Sequence, residues 1–168
     1  MTTKSSIAAF LQLAAASVYL LLGAVSSQNL DTLGAILFQV EGYYGGPWGN
    51  PYHEFLSFFS AVIMPLLIGA IGLILFYPLR MEIKNLWKWS QLLNVVGIVL
   101  MILIFFPVLA IESLQFLRSE PFVDIGFVLV LYFLILPAVI LSLAVAKLSY
   151  EMLAGQSRSL PVDSVFGK

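Results

Sequence analysis

The sequence predicts an all-α integral membrane protein: a bundle of four transmembrane helices with an ordered extracytoplasmic loop, forming one domain over residues 1–168. Of its 168 residues, 61% are hydrophobic and 10% are charged, whereas soluble domains carry roughly 25% charged residues. A chain of this length could not bury so much apolar surface in water, so lipid must cover part of it. Four apolar stretches approach the ~20 residues that cross a bilayer core, and the basic residues sort to one side of them.

The first predicted span covers residues 7–25 and follows a short polar start that contains Lys4. A basic residue, an apolar run and the small residues 24–27 also imitate a cleaved signal peptide. The apolar run is longer than the core of an ordinary signal peptide. We therefore expect a retained helix.

Residues 26–54 are predicted to form the outer cap. Residues 33–40 are apolar but too short to span, which is typical of an interfacial or re-entrant helix or of a loop packed on the bundle. Residues 42–54 hold the single His of the chain, with four glycines, two prolines and four aromatic rings. Such a segment cannot form a regular helix, and irregular backbone near the membrane must be covered by protein or wetted. A folded cap at the interface is the expected outcome.

The second predicted span covers residues 55–77 and is expected to end at Pro78. Gly69 and Gly72 leave a small-residue notch on this span, where a partner helix can approach closely. The loop 79–89 combines basic residues with Trp87 and Trp89, a composition that favours anchoring in the headgroup layer.

The third and fourth predicted spans cover residues 90–111 and 121–146, and residues 147–168 form a polar tail. Three prolines lie within spans, at Pro65, Pro107 and Pro137. Each can kink its helix and open a pocket, although membrane helices also tolerate proline when neighbouring groups satisfy the freed carbonyl.

The distribution of Lys and Arg orients the four spans. Seven basic residues fall on one side and only Arg118 on the other. By the positive-inside rule, this predicts a multi-pass protein of the cell membrane with both termini in the cytoplasm. The seven are Lys4, Arg80, Lys84, Lys88, Lys147, Arg158 and Lys168.

The strongest candidates for chemistry lie on the predicted outer side. His53 and Glu54 enter the second span, Glu112 ends the third and Asp124 begins the fourth. Such a set can relay protons or hydrogen-bond a quinol. As a metal site it is weak, since it offers a single imidazole, and we assign no metal. The alternative is that these groups are solvated or paired, for example with Arg118.

Aromatic residues accompany this set, with Trp48 and Tyr52 next to His53. They can form a groove for a quinone headgroup or a lipid, or an aromatic belt at the headgroup level. The full aromatic set is Tyr43, Tyr44, Trp48, Tyr52, Phe55, Phe58 and Phe59.

Asn94 lies inside the third span, and other polar residues of the chain are Gln12, Ser17, Ser57 and Ser60. Such groups are expected to hydrogen-bond between helices, each contributing roughly 0.6 kcal/mol, and the alternative is contact with a substrate. No charged residue lies at the centre of any predicted span, and the chain has no Cys and no recognised catalytic motif. Ion-coupled carriers usually need an intramembrane charge. We therefore assign no catalytic residue and no cofactor to this chain alone, apart from a quinone or lipid at the outer interface.

In size and topology, the four-span layout with a large outer loop resembles the DoxX/DoxD group of small membrane proteins. That resemblance implies a membrane subunit of a quinone-reducing enzyme. The Arg often found at the start of that group's first span has no counterpart around residues 10–14, so no site residue is transferred.

Three functions remain in order of preference. The first is a non-catalytic or quinone-contacting subunit of a larger respiratory-type complex, whose partners are lipid and other membrane subunits rather than nucleic acid. The second is a small oligomeric transporter or channel. The third is a DoxX/DoxD-like oxidoreductase subunit or a lipid or quinone enzyme that uses His53 and Glu54 as acid and base.

Overall fold

The computed structural model describes residues 3–29, 58–107, 109–110 and 125–158, and every regular element within these ranges is helical. In this part of the chain, four stretches are long and apolar enough to cross a membrane, namely Thr3–Gln28, Phe59–Arg80, Asn85–Phe105 and Leu129–Gly155. The prediction of an all-α, multi-pass membrane protein in contact with lipid is thus confirmed. The predicted ordered loop, from residue 30 onward, lies outside the described residues.

Within the described residues, four α-helices form the bundle, with two π-helical segments attached to them. The π-helical segment Phe59–Ile63 leads into α2, and the π-helical segment Met101–Phe105 continues α3. The α-helices are α1 (Thr3–Gln28), α2 (Met64–Arg80), α3 (Lys84–Leu100) and α4 (Ile125–Arg158).

Buried positions in the helices alternate at intervals of three and four residues. This is the seven-residue period of left-handed bundles, in which helices cross at roughly 20° and side chains interdigitate. In α1 the series is Ser5, Ala8, Gln12, Ala15, Tyr19, Leu22 and Ser26, and in α2 it is Pro65, Ile68, Gly72, Leu75 and Leu79. In α3 and its π-helical continuation it is Trp87, Ser90, Asn94, Gly97 and Met101.

Helix α1 is the main organiser of the bundle, because it packs along α2 on one side and against α4 on the other. Helix α3 packs on α4, and its contact with α2 is less extensive than the other three. The helices thus follow one another around the bundle in chain order.

Two polar contacts define one end of the bundle. Lys4 Nζ lies 3.3 Å from a carboxylate oxygen of Glu151, and Ser5 Oγ donates a hydrogen bond of 2.8 Å to Glu82. The start of α1, the α2–α3 turn and the end of α4 therefore meet at this end, which we call the termini end. The opposite end is called the distal end.

The ends of the helices differ from the predicted spans. Helix α2 runs through Pro78 to Arg80. Helix α3 begins at Lys84, six residues before the predicted start of the third span, and Trp87 is fully buried rather than placed in a headgroup loop. Helix α4 continues twelve residues beyond the predicted end at residue 146. These differences follow from packing, because Trp87 belongs to an apolar cluster with Ala8 and Leu79, whereas Trp89 is exposed.

The prolines at 65 and 107 share one local structure. Each follows its π-helical segment at the same spacing, and the residue before each proline, Met64 or Phe106, donates its N–H to a carbonyl five residues back. A proline ring clashes with the carbonyl four residues before it, and the wider turn relieves that clash. Pro137, by contrast, lies within uninterrupted α-helix.

Candidate functional site

The residues predicted to carry chemistry fall outside the part of the chain that the structure describes. These are Trp48, Tyr52, His53, Glu54, Glu112 and Asp124. The predicted packing residues Gly69, Gly72 and Asn94 are described, and all three are buried. They lie beside a larger polar feature of the bundle interior.

That feature is a polar stripe along α1, made of Ser5, Gln12, Tyr19 and Ser26. The four side chains are spaced seven residues apart, and each is at most 2% exposed. Since seven residues rise about 10 Å, the stripe extends over about 30 Å, which is the thickness of a bilayer core. Polar groups therefore occur on the buried face of α1 from the termini end to the distal end.

Gln12 is the centre of the first interhelical cluster. Its Oε1 accepts hydrogen bonds from Ser90 Oγ at 2.9 Å and from Asn94 Nδ2 at 2.7 Å. Asn94 Nδ2 also donates to the carbonyl of Ser90 at 2.8 Å, and Ser149 Oγ lies 3.5 Å from Ser90 Oγ. Both lone pairs of the Gln12 oxygen are thus used, and the cluster connects α1, α3 and α4.

Tyr19 forms the second cluster two turns further along α1. Its hydroxyl and Ser142 Oγ share a hydrogen bond of 3.0 Å, which connects α1 to α4. On α3, Gly97 faces the same phenol: a Cβ at this position would lie 2.7 Å from Tyr19 Cζ. The absence of a side chain at residue 97 therefore makes room for the tyrosine ring.

Small residues bring α1 and α2 together beside the stripe. A Cβ on Gly69 would lie 2.9 Å from the carbonyl oxygen of Ala16, and a Cβ on Gly72 would lie 2.8 Å from Gln12 Nε2. On the α1 side, a Cβ on Gly23 would lie 2.7 Å from Leu66 Cγ. Close backbone approach through small residues is the usual way in which membrane helices gain packing energy.

Ser5, the first group of the stripe, bonds to a side chain on a constrained turn. Ser5 donates to Glu82, and Glu82 has a φ of 58°, in the left-handed region that non-glycine residues seldom adopt. The α2–α3 turn therefore holds a carboxylate in place at the termini end, next to the start of α1.

Two buried groups lack a hydrogen-bond partner among the described residues: Ser26 Oγ and the Nε1 of Trp87. A buried donor without an acceptor costs about 1–3 kcal/mol. Ser26 lies at the distal end of the bundle. Trp87 lies one helical turn nearer the termini end than Ser90.

The chemistry of the described interior is that of neutral hydrogen-bonding groups. None of its buried side chains carries a charge, and no set of three or more His, Cys, Asp or Glu residues is placed to hold a metal ion in the described part of the chain. The stripe can fix the rotation and depth of α1, because a sliding or turning helix would leave polar groups unpaired in an apolar medium.

Comparison with known proteins adds no further constraint: no protein-family model, curated protein or solved structure matches the chain.

Proposed function

We propose that this chain is a membrane subunit of a larger energy-transducing complex, non-catalytic or in contact with quinone, with both termini in the cytoplasm. The observation that supports this role is the closed, neutral interior. Small residues and mutually bonded polar groups fill the described bundle, and its buried side chains are uncharged. Such an interior suits a scaffold, because it holds helices in fixed positions and offers no charged group for ion coupling.

In this proposal, the distal end carries the contacts with a quinone or a neighbouring subunit. His53 and Glu54 precede the π-helical entry into α2, Glu112 follows the π-helical exit from α3, and Asp124 immediately precedes α4. Two connections, one between α1 and α2 and one between α3 and α4, thus supply the one imidazole and three carboxylates in this proposal.

The decisive experiment is extraction of the tagged chain from its native membrane in a mild detergent, followed by size-exclusion chromatography. We expect the chain to elute with redox-active partners whose absorption spectrum changes when a quinol is added. A matched sample carrying His53→Ala and Glu54→Gln separates assembly from quinone contact. Elution of the native chain as a lone, stable protein of 18.5 kDa plus detergent would overturn the proposal.

A second candidate function is a small oligomeric transporter or channel. The observation that favours it is the polar stripe, since hydrogen-bonding groups cross the whole apolar thickness of the bundle on α1. Reconstitution into liposomes tests this function: flux above that of empty vesicles, reduced by Gln12→Leu and Tyr19→Phe, would support it. Flux equal to that of empty vesicles would exclude it.

A further inference from the structure

We propose that the two proline-linked π-helical segments form a paired hinge, which lets the distal parts of α2 and α3 switch between two helical registers. The hinge consists of Phe59–Ile63 before Pro65 and Met101–Phe105 before Pro107. Identical spacing on two different helices indicates one repeated device rather than two local irregularities. Within the described residues, both segments lie at the distal ends of their spans.

The burial pattern of α3 records the extra residue that the wide turn inserts. Asn94, Gly97 and Met101 follow the alternation of three and four, but the next buried residue is Phe105 rather than residue 104. Conversion of this segment to α-helix would turn the chain beyond it by about 100°, one residue's rotation. Ile104 would then take the place of Phe105 in the core.

Both registers bury an apolar side chain at this position. Phe105 belongs to the main hydrophobic cluster, and Ile104 already packs against the same cluster from its partly buried position. Neither register therefore exposes a polar group to the core, and the two packings satisfy the same hydrophobic requirement.

α-Helical geometry before a proline is accessible to this chain. The six residues before Pro137 are all α-helical within α4. The clash of a proline ring with the preceding turn thus does not force a π-helical segment at every proline of this bundle. The wide turns at Pro65 and Pro107 are one of two available conformations.

The two segments are also in mutual contact, since they pack against each other at the distal end. Ala61 of the first and Phe105 of the second are fully buried members of one cluster. A change of register on α3 therefore exchanges Phe105 for Ile104 in the cluster that Ala61 also joins. The paired hinge requires no partner and no ligand.

Disulfide crosslinking in membranes tests the paired hinge, because the chain has no native cysteine. One variant carries Ala61→Cys with Phe105→Cys, and the other carries Ala61→Cys with Ile104→Cys. With a mild oxidant, we expect both pairs to crosslink. Adding Pro107→Ala, which removes the ring that favours the wide turn, is expected to shift the yield several-fold toward the 61–104 pair.

The matched control is Pro137→Ala, which removes a proline from an α-helical turn and should leave the ratio of the two crosslinks unchanged. Pro65→Ala provides a second variant should the Pro107 variant fail to accumulate: it turns residue 61 by about 100° and should lower the yield of both crosslinks. Crosslinking of the 61–105 pair alone in every background, or an equal shift with Pro137→Ala, would overturn the paired hinge.

Discussion

Gly97 of α3 lies directly against the phenol of Tyr19, so that a Cβ on residue 97 would press on the hydroxyl and lie 2.7 Å from Cζ. The same hydroxyl bonds to Ser142 of α4 at 3.0 Å. The position of one glycine on α3 therefore determines whether α1 and α4 can form their hydrogen bond.

Gly97→Ala is expected to destabilise the bundle by about 1–3 kcal/mol, the usual cost of overpacking a filled core. Thermal or denaturant unfolding in detergent micelles measures the change. Gly155→Ala is the control, because nothing lies within 4 Å of a Cβ at that exposed helical position. It should be neutral or stabilise by at most about 1 kcal/mol, and equal losses at both positions would contradict the packing argument.

Gln12→Leu should destabilise the protein by roughly 1–2 kcal/mol, because Ser90 and Asn94 both donate to the oxygen that it removes. A double-mutant cycle with Asn94→Leu should show that the two losses are not additive. Ser17→Ala is the control, since Ser17 is exposed and bonds to the carbonyl of Leu13 in its own helix. Additive losses at residues 12 and 94 would show that the two side chains act independently.

The same substitution should have opposite effects at two buried serines. Ser142→Ala leaves the Tyr19 hydroxyl without its partner and should cost about 1–2 kcal/mol. Ser26→Ala removes a buried hydroxyl that has no partner among the described residues, and it should be neutral or stabilising. The midpoints of unfolding of the two variants, each compared with that of the native protein, measure the two effects. A loss at Ser26 as large as that at Ser142 would mean that Ser26 is bonded.

Gly69→Val should separate α1 from α2, since its Cβ would meet both the Ala16 carbonyl and the Leu20 side chain closer than 3 Å. A loss of about 1–3 kcal/mol is expected from this overpacking. Its neighbour provides the control: Ala70 is exposed on the lipid-facing side, so Ala70→Val should change the free energy of unfolding little. Similar losses at 69 and 70 would contradict this assignment of faces.

Orientation in the membrane can be tested on the cysteine-free chain. A membrane-impermeant thiol reagent applied to intact cells should label Tyr43→Cys and leave Gly155→Cys unlabelled, because the excess of Lys and Arg predicts that residue 155 lies in the cytoplasm. After permeabilisation, both variants should react. Labelling of both, or of neither, in intact cells would refute the assignment of sides.

Composition and the placement of apolar runs were sufficient to predict four membrane helices, because lipid imposes hydrogen-bonded helices on any apolar segment of this length. The polar stripe was also visible in principle: Ser5, Gln12, Tyr19 and Ser26 recur every seven residues in an otherwise apolar helix. Its partners were not visible, since Ser90 and Ser142 become neighbours of α1 only after the helices pack.

Trp87 shows why local composition gave a wrong prediction of burial for one residue. An aromatic residue among lysines is typical of a headgroup anchor, yet Trp87 lies three residues before Ser90, on the buried face of α3. Its position in the helical repeat, rather than the charge of the neighbouring lysines, determines that Trp87 is buried. Similarly, Pro65 and Pro137 both lie within spans, but only Pro65 adjoins a π-helical segment, and the sequence around them gives no rule that distinguishes the two.

The polar stripe of α1 also has a consequence for biosynthesis. The first helix leaves the ribosome long before its partners exist: Gln12 precedes Ser90 by 78 residues, and Tyr19 precedes Ser142 by 123. The nascent helix must therefore enter the bilayer with both groups unsatisfied, or remain at the insertion machinery until α3 is available for the amide and α4 for the phenol. Chains that terminate before residue 90 can form neither set of bonds, and chains that terminate before residue 142 lack the Tyr19–Ser142 bond. Such unpaired polar groups give cellular quality control a physical basis for recognising incomplete chains.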